Sequence, residues 1–191
     1  MNHSEREEKL RKQRDAWYAA LGRFVVEFEH VCNQMNTCII FVLSGNSLRS
    51  QNLVQAVLAE FTADPLLSSF RAVVGELRKG DDYEMRILDN VSKRVQNLIE
   101  RRNDVIHRTW FIEYWGPKDT EFSKAPSLKF KKSKRGAEPK YLELTAEELG
   151  DLSKEAFELH RIIFRISGCL SLGRPFSKNF RVEKDGTVRL P

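Results

Sequence analysis

The chain has 191 residues, of which 41% are hydrophobic and 31% charged, with a formal net charge of +5. That length suits one domain able to bury a core of its own, and the balance of apolar to charged residues excludes an intrinsically disordered chain. The longest apolar run, Cys38-Ile39-Ile40-Phe41-Val42-Leu43, is far too short to span a bilayer, and the opening Ser4-Glu5-Arg6-Glu7-Glu8-Lys9 is charged where a secretory leader needs an apolar core, so a soluble, cytoplasmic protein with no membrane attachment is expected.

The first helix is predicted from about Ser4. Its apolar positions (Trp17, Leu21, Phe24, Phe28, Val31, Met35, Cys38, Val42) repeat every three or four residues, the spacing of a helix packed along its length. Its polar start is expected to project into solvent or to pair with another subunit. Gly45-Asn46 ends it, and Ser47 caps a shorter helix through Phe61. Asp64-Pro65 reads as cap plus first-turn proline for a third helix ending near Lys79-Gly80. Asp81 or Asp82 opens a long fourth helix reaching about His107, with Leu88, Val91, Val95, Leu98, Arg102 and Val105 along its seam.

Beyond His107 the period changes. Trp110 to Trp115 is aromatic and β-prone, and Gly116-Pro117 breaks it. Ser127–Lys131 and Tyr141–Leu144 each alternate, which predicts a β-hairpin whose basic tip spans Lys132 to Pro139. Thr145-Ala146-Glu147-Glu148 has the pattern of a capping box and starts the last helix, with its seam at Leu149, Leu152, Ala156, Leu159, Ile163, Ile166 and Leu170. After Gly173 a small hairpin turning at Asp185-Gly186 is expected. The expected fold is mainly all-α: an up-and-down bundle of about five helices over residues 1–171, with a basic hairpin insertion at 110–144 and a C-terminal tail at 172–191.

Charge and cysteine usage narrow the function classes. From Gly116 to Lys140 there are eight cations against three anions, so this segment holds the whole +5 excess and the remainder is neutral. A focused patch of that kind attracts a polyanion. Three cysteines, Cys32, Cys38 and Cys169, with no Cys-x-x-Cys pair, read as free buried thiols in a reducing compartment. The four histidines lack metal-ligand spacing, no glycine-rich loop opens a helix, and no Gly-x-Ser-x-Gly element is present. Neither a metal nor another cofactor is expected.

The informative anomaly is Arg102, a guanidinium on an apolar seam. Burying it without a partner is costly, so it calls for a carboxylate, a phosphate or a wet cleft. Asn103 follows it, and His107 lies one turn beyond Asn103 on the same helical face. Such a set suits RNA cleavage without a metal. The 2′-hydroxyl must lose a proton, the 5′-oxygen must gain one, and charge grows on the phosphate between them. Histidine moves protons near neutrality, and arginine holds phosphate in a fork. One imidazole is not base and acid at once, so two copies across a two-fold axis are the mechanical expectation.

The stretch Glu100-Arg101-Arg102-Asn103-Asp104-Val105-Ile106-His107-Arg108-Thr109-Trp110 resembles the core signature of the HEPN superfamily of helical nucleic-acid-associated proteins: an arginine, a polar residue directly after it, and a histidine four to six residues past the arginine. Arg102, Asn103 and His107 match those positions, and Trp110 is similar to an aromatic that often follows. Arg108 stands where a glycine is common. The resemblance implies a helical bundle, a homodimer with its cleft between subunits, and metal-independent endoribonuclease activity with Arg102, Asn103 and His107 as catalytic residues. It also implies a setting in toxin or phage defence, with a possible antitoxin or other protein partner. Some members serve instead as binding or scaffolding modules. RNA-backbone contacts are expected from Arg108, Lys129, Lys131, Lys132, Lys134 and Arg135.

Plainer readings stand beside these. Arg102 would pair with Glu27 or Glu100, and His107 would cap the helix C-terminus. His30 and His160 would be packed or surface histidines, and the lysines would keep an exposed hairpin soluble. Phe130 and Tyr141 would either stack on bases or face the bundle. A non-catalytic helical adaptor, or a partner-binding component of a defence or toxin–antitoxin module, is the alternative function.

Overall fold

A computed structural model of the chain describes residues 3–45, 47–112, 124–133 and 136–191. Five helices carry it: α1 (His3–Ser44), α2 (Leu48–Leu58), α3 (Ala63–Arg78), α4 (Asp82–Ile106) and α5 (Ala146–Ser171). Between α4 and α5, strands β1 (Thr109–Trp110), β2 (Ala125–Ser133) and β3 (Gly136–Leu144) form an antiparallel sheet in the order β1-β2-β3. After α5 come a short 3-10 turn, Phe176–Lys178, and a two-residue ladder of β4 (Arg181–Val182) and β5 (Val188–Arg189). The fold is mainly all-α, with the hairpin inserted before the last long helix. No helix among the described residues is long and apolar enough to cross a membrane.

Side-chain caps set several helix starts. The Asp81 carboxylate accepts from the backbone N–H of Tyr83 and of Glu84, each at 3.0 Å, so Asp81 is the cap of α4 and Asp82 its first residue. At α5 the capping box is complete: the Glu148 N–H donates to Thr145 Oγ1 at 3.0 Å and the Thr145 N–H donates to Glu148 Oε2 at 2.7 Å. Ser47 caps α2 through Ser50 N–H. Gly45, with φ of +55°, follows the last residue of α1 in the left-handed region that glycine enters without a Cβ penalty.

Three boundaries differ from the sequence expectation. α3 starts at Ala63 with Thr62 as its cap residue, not Asp64. Pro65 is then the third helical position, where its missing N–H still costs no intrahelical bond, and the Asp64 carboxylate accepts from Gln96 Nε2 instead. α2 stops at Leu58, and Phe61 lies beyond it with its N–H on the Leu58 carbonyl. The hairpin strands run further toward the tip than the alternation implied, taking in Lys132, Glu138 and Pro139. β3 is the edge of the sheet among the described residues, where a proline removes no ladder bond. The remaining expectations for Trp115, Gly116-Pro117, Lys134 and Arg135 lie outside the described residues.

The chain divides into two compact units. The larger comprises residues 27–100 and 155–191. Phe28, Val31, Met35 and Cys38 of α1, Phe70 and Val74 of α3, Leu88, Val91 and Val95 of α4, and Leu159, Ile163 and Ile166 of α5 are buried in it, as the three-four spacing predicts. Its tail is held through main-chain groups. The Phe176 N–H donates to Glu84 Oε1 at 2.6 Å, while Glu84 Oε2 pairs with Arg78 at 3.1 Å. Arg78 also donates to the Arg174 carbonyl and lies over the Phe176 ring. Val188 donates its N–H to Asn90 Oδ1 and accepts from Arg94 Nη1, the same guanidinium that forms a two-pronged pair with Glu155 at 2.7 and 2.9 Å.

The smaller unit comprises residues 1–26 and 101–154. The buried Trp17 ring lies 4.8 Å from that of Trp110 and its Nε1 donates to the Leu144 carbonyl, while Trp110 Nε1 donates to the Val105 carbonyl at 2.9 Å. These two indoles join α1, the end of α4 and the sheet. Ala125, Ser127 and Leu144 are buried beside them.

Candidate nucleic-acid site

The seam of α4 continues into the smaller unit with Val105 buried and Arg102 half-buried. Arg102 Nη1 donates to Asn103 Oδ1 at 3.3 Å, so these two side chains meet. His107 is the first residue past α4. Its N–H donates to the Asn103 carbonyl at 3.3 Å, while its imidazole is exposed and makes no hydrogen bond among the described residues. The guanidinium and the amide are thus in contact, and the imidazole is set beside them by one turn of backbone rather than by a side-chain bond. The exposed His107 ring is one backbone turn from Asn103, with no side-chain hydrogen bond to it among the described residues.

Arg108 occupies a different position. Only 4% of its side chain is exposed. Nη2 donates to Asp104 Oδ1 at 2.8 Å and Nη1 to the Lys140 carbonyl at 2.9 Å. It therefore ties the end of α4 to β3. Asp104 is the hub of this link, because Lys129 Nζ also stands 3.9 Å from its Oδ1. The i, i+4 spacing of Asp104 and Arg108 is the sequence signal that would have found the pair.

The register decides where the other cations point. Leu128 faces Tyr141, Lys129 faces Lys140, Phe130 faces Pro139 and Lys131 faces Glu138. Cross-strand partners share a face of the sheet and successive residues alternate. One face therefore carries Ala125, Ser127, Lys129 and Lys131 with Leu144, Leu142 and Lys140. Its base is buried, so this face turns toward the body of the unit. The opposite face carries Pro126, Leu128, Phe130 and Lys132 with Glu143, Tyr141 and Pro139. Lys131, Lys132 and Lys140 are exposed, and Lys129 is half-exposed at Asp104. The cations nearest the end of α4 are thus held there by a fixed ladder and by the Arg108 link.

No family model matches this chain, and no curated protein or solved structure matches it either.

Proposed function

We propose that this chain is a metal-independent endoribonuclease of HEPN type, acting in the cytoplasm as a homodimer in a toxin or phage-defence setting. One observation carries the reading: Arg102 and Asn103 are in contact at the end of α4, with the exposed His107 one turn on and a basic hairpin latched beside them. In the proposed reaction the 2′-oxygen attacks the adjacent phosphorus. The 2′-O–P bond forms, the P–O5′ bond breaks, and a 2′,3′-cyclic phosphate and a 5′-hydroxyl result. One His107 takes the 2′-hydroxyl proton, and the His107 of a second copy delivers a proton to the 5′-oxygen. Arg102 neutralises the charge growing on the phosphate, and Asn103 holds the guanidinium in place. Lys129, Lys131, Lys132 and Lys140 contribute backbone affinity, while Arg108 secures the hairpin that presents them.

The test is cleavage of a long single-stranded RNA in EDTA by the wild-type protein and by His107→Ala and Arg102→Ala. Loss of a positioned acid–base group lowers the rate about 100-fold or more, and loss of a charge-stabilising donor does so by a similar factor. Intact RNA at high wild-type concentration, or cleavage that survives His107→Ala, would overturn the proposal. A second reading, a non-catalytic adaptor, is favoured by exposed apolar residues in the larger unit: Leu53 and Val57 one turn apart on α2, and Phe157 and Phe164 on α5. Unchanged RNA together with a stable complex with a protein partner would support it.

A further inference from the structure

Toward its tip the hairpin departs from the usual arrangement that its base keeps. In an antiparallel sheet with one face on a core, apolar residues point inward and charged ones outward. Here Lys129 and Lys131 lie on the face turned toward the body, whereas Phe130 and Tyr141 lie on the outer face, 64% and 68% exposed. Phe130 pairs with Pro139 and Tyr141 with Leu128, so the two rings are diagonal cross-strand neighbours on one side of the ladder. A recess of about 150 Å³, lined by Phe111, Pro126, Ser127, Tyr141, Leu142 and Glu143, adjoins Tyr141.

Two exposed rings on one face would by themselves suit many partners. Charge selects among them. Across residues 124–144 seven cations (Lys124, Lys129, Lys131, Lys132, Lys134, Arg135, Lys140) oppose two anions, Glu138 and Glu143. Lys132 shares the aromatic face with Glu143, and Lys140, the chain neighbour of Tyr141, lies on the opposite face of β3. A nucleotide whose base lies on Tyr141 therefore has the cations toward the tip of the hairpin, Lys140 next along β3 and Lys132 further out on β2, for its phosphates. An acidic or apolar protein surface would use either the rings or the lysines. An unpaired nucleic-acid strand uses both, because each nucleotide presents a flat π-face and a charge. Duplex RNA hides its bases in the stack and has no use for the rings.

We infer that the outer face of the hairpin, through Phe130 and Tyr141, is a base-stacking platform that selects single-stranded over double-stranded RNA. The inference rests on the RNA reading above and names the form of RNA that site takes. Stacking is read from the ring and not from the hydroxyl, so Tyr141→Phe retains binding while Tyr141→Leu loses it.

The experiment measures binding of fluorescein-labelled oligouridine and oligoadenosine, and of a hairpin-free RNA duplex, by full-length protein carrying His107→Ala, so that cleavage does not interfere. Phe130→Ala and Tyr141→Ala, added singly and together, are expected to weaken single-strand binding about tenfold each and to leave duplex binding within about twofold. Both rings are solvent-exposed, so thermal melting of the variants should match that of the parent. Single-strand affinity unchanged by the double substitution overturns the platform. So does equal loss for single strand and duplex, or no single-strand binding by the parent. A shift in solution mass with RNA binding intact would make the face a protein interface and overturn it likewise. Failure of wild-type cleavage in EDTA, with the aromatic variants still impaired in binding, would remove the ribonuclease reading and leave the platform standing.

Discussion

Replacing Arg108 by methionine keeps the apolar stem and removes only the guanidinium, which isolates the link between α4 and the hairpin. Two bonds go: Nη2 to the Asp104 carboxylate at 2.8 Å and Nη1 to the Lys140 carbonyl at 2.9 Å. Hydrogen bonds involving a charged group contribute about 1.5–3 kcal/mol each. The acceptors here rehydrate when released, since Asp104 is 38% exposed and Lys140 is exposed. The net cost is therefore nearer about 2–3 kcal/mol for both bonds than the sum of two buried ones. At about 1.4 kcal/mol per factor of ten, that predicts local opening of the hairpin roughly 30- to 150-fold more often. Because β3 is the outer strand, opening peels it without unfolding the larger unit. Hydrogen exchange followed by mass spectrometry should show faster exchange in peptides from β3 and unchanged exchange in α3 and the first turns of α4. Equal protection of β3 in the variant and the parent would refute the assignment of Arg108 as the latch, and would return it to the set of RNA contacts.

Three further outcomes concern stability. Glu84→Gln keeps an acceptor for the Phe176 N–H but discharges the pair with Arg78, and breaking a buried pair costs about 3 kcal/mol. For a chain of this size that lowers Tm by about 6–12 °C, and a drop under about 2 °C in calorimetry would contradict it. The hydrogen bond from the Thr145 N–H, followed by that from its hydroxyl, holds the Glu148 carboxyl below the usual glutamate range. Its contribution is therefore present above about pH 4.3, the unfolded value, and is lost as pH falls through the lower folded one. Melting from pH 6 to 2.5 should show a steeper acid decline in the wild type than in Glu148→Gln, and parallel curves would count against the capping box. Burial, followed by the neighbouring His30 ring 5.7 Å away, holds His160 below the usual histidine range. Its contribution is complete above about pH 6.5 and is lost as pH falls through the depressed folded value. The urea midpoint should fall on acidification from pH 7.5 to 5, and less so in His160→Gln, whereas an equal fall in both would exclude His160 as the source.

Much of this was readable along the chain because local signals and long seams agreed. The three-four spacing of α1, α4 and α5 named most of the apolar residues buried on those three helices, and the Thr145–Glu148 and Ser47 caps fell where side-chain oxygens can reach free N–H groups. Arg102 and Asn103 could be placed together because they are chain neighbours on one helix. Alternation located the hairpin but not its inward face, since Phe130 and Lys129 occupy equivalent positions until something packs against one side. What packs there is a tryptophan cluster: Trp17 from α1 bonds to the Leu144 carbonyl 127 positions away, a contact with no local trace. The tie that Arg108 makes to β3 was not legible for a related reason. Half its partners lie one turn back, at Asp104, and the other half arrive only when β3 folds alongside. The cap of α3 moved to Thr62 because Asp64 serves Gln96 on α4 instead of its own helix.

The way α3 and α4 grip the segment after α5 has a consequence for sequence drift. Arg78, Glu84, Asn90 and Arg94 recognise peptide groups of Arg174, Phe176 and Val188, which every amino acid but proline supplies in full. Only the apolar plugs Phe176, Phe180 and Val188 are read as side chains. At Arg174 the grip therefore leaves the side chain open to replacement, whereas Phe176 and Val188 are fixed twice over, once as peptide groups and once as apolar plugs: a lock that reads one tooth of its key by backbone alone.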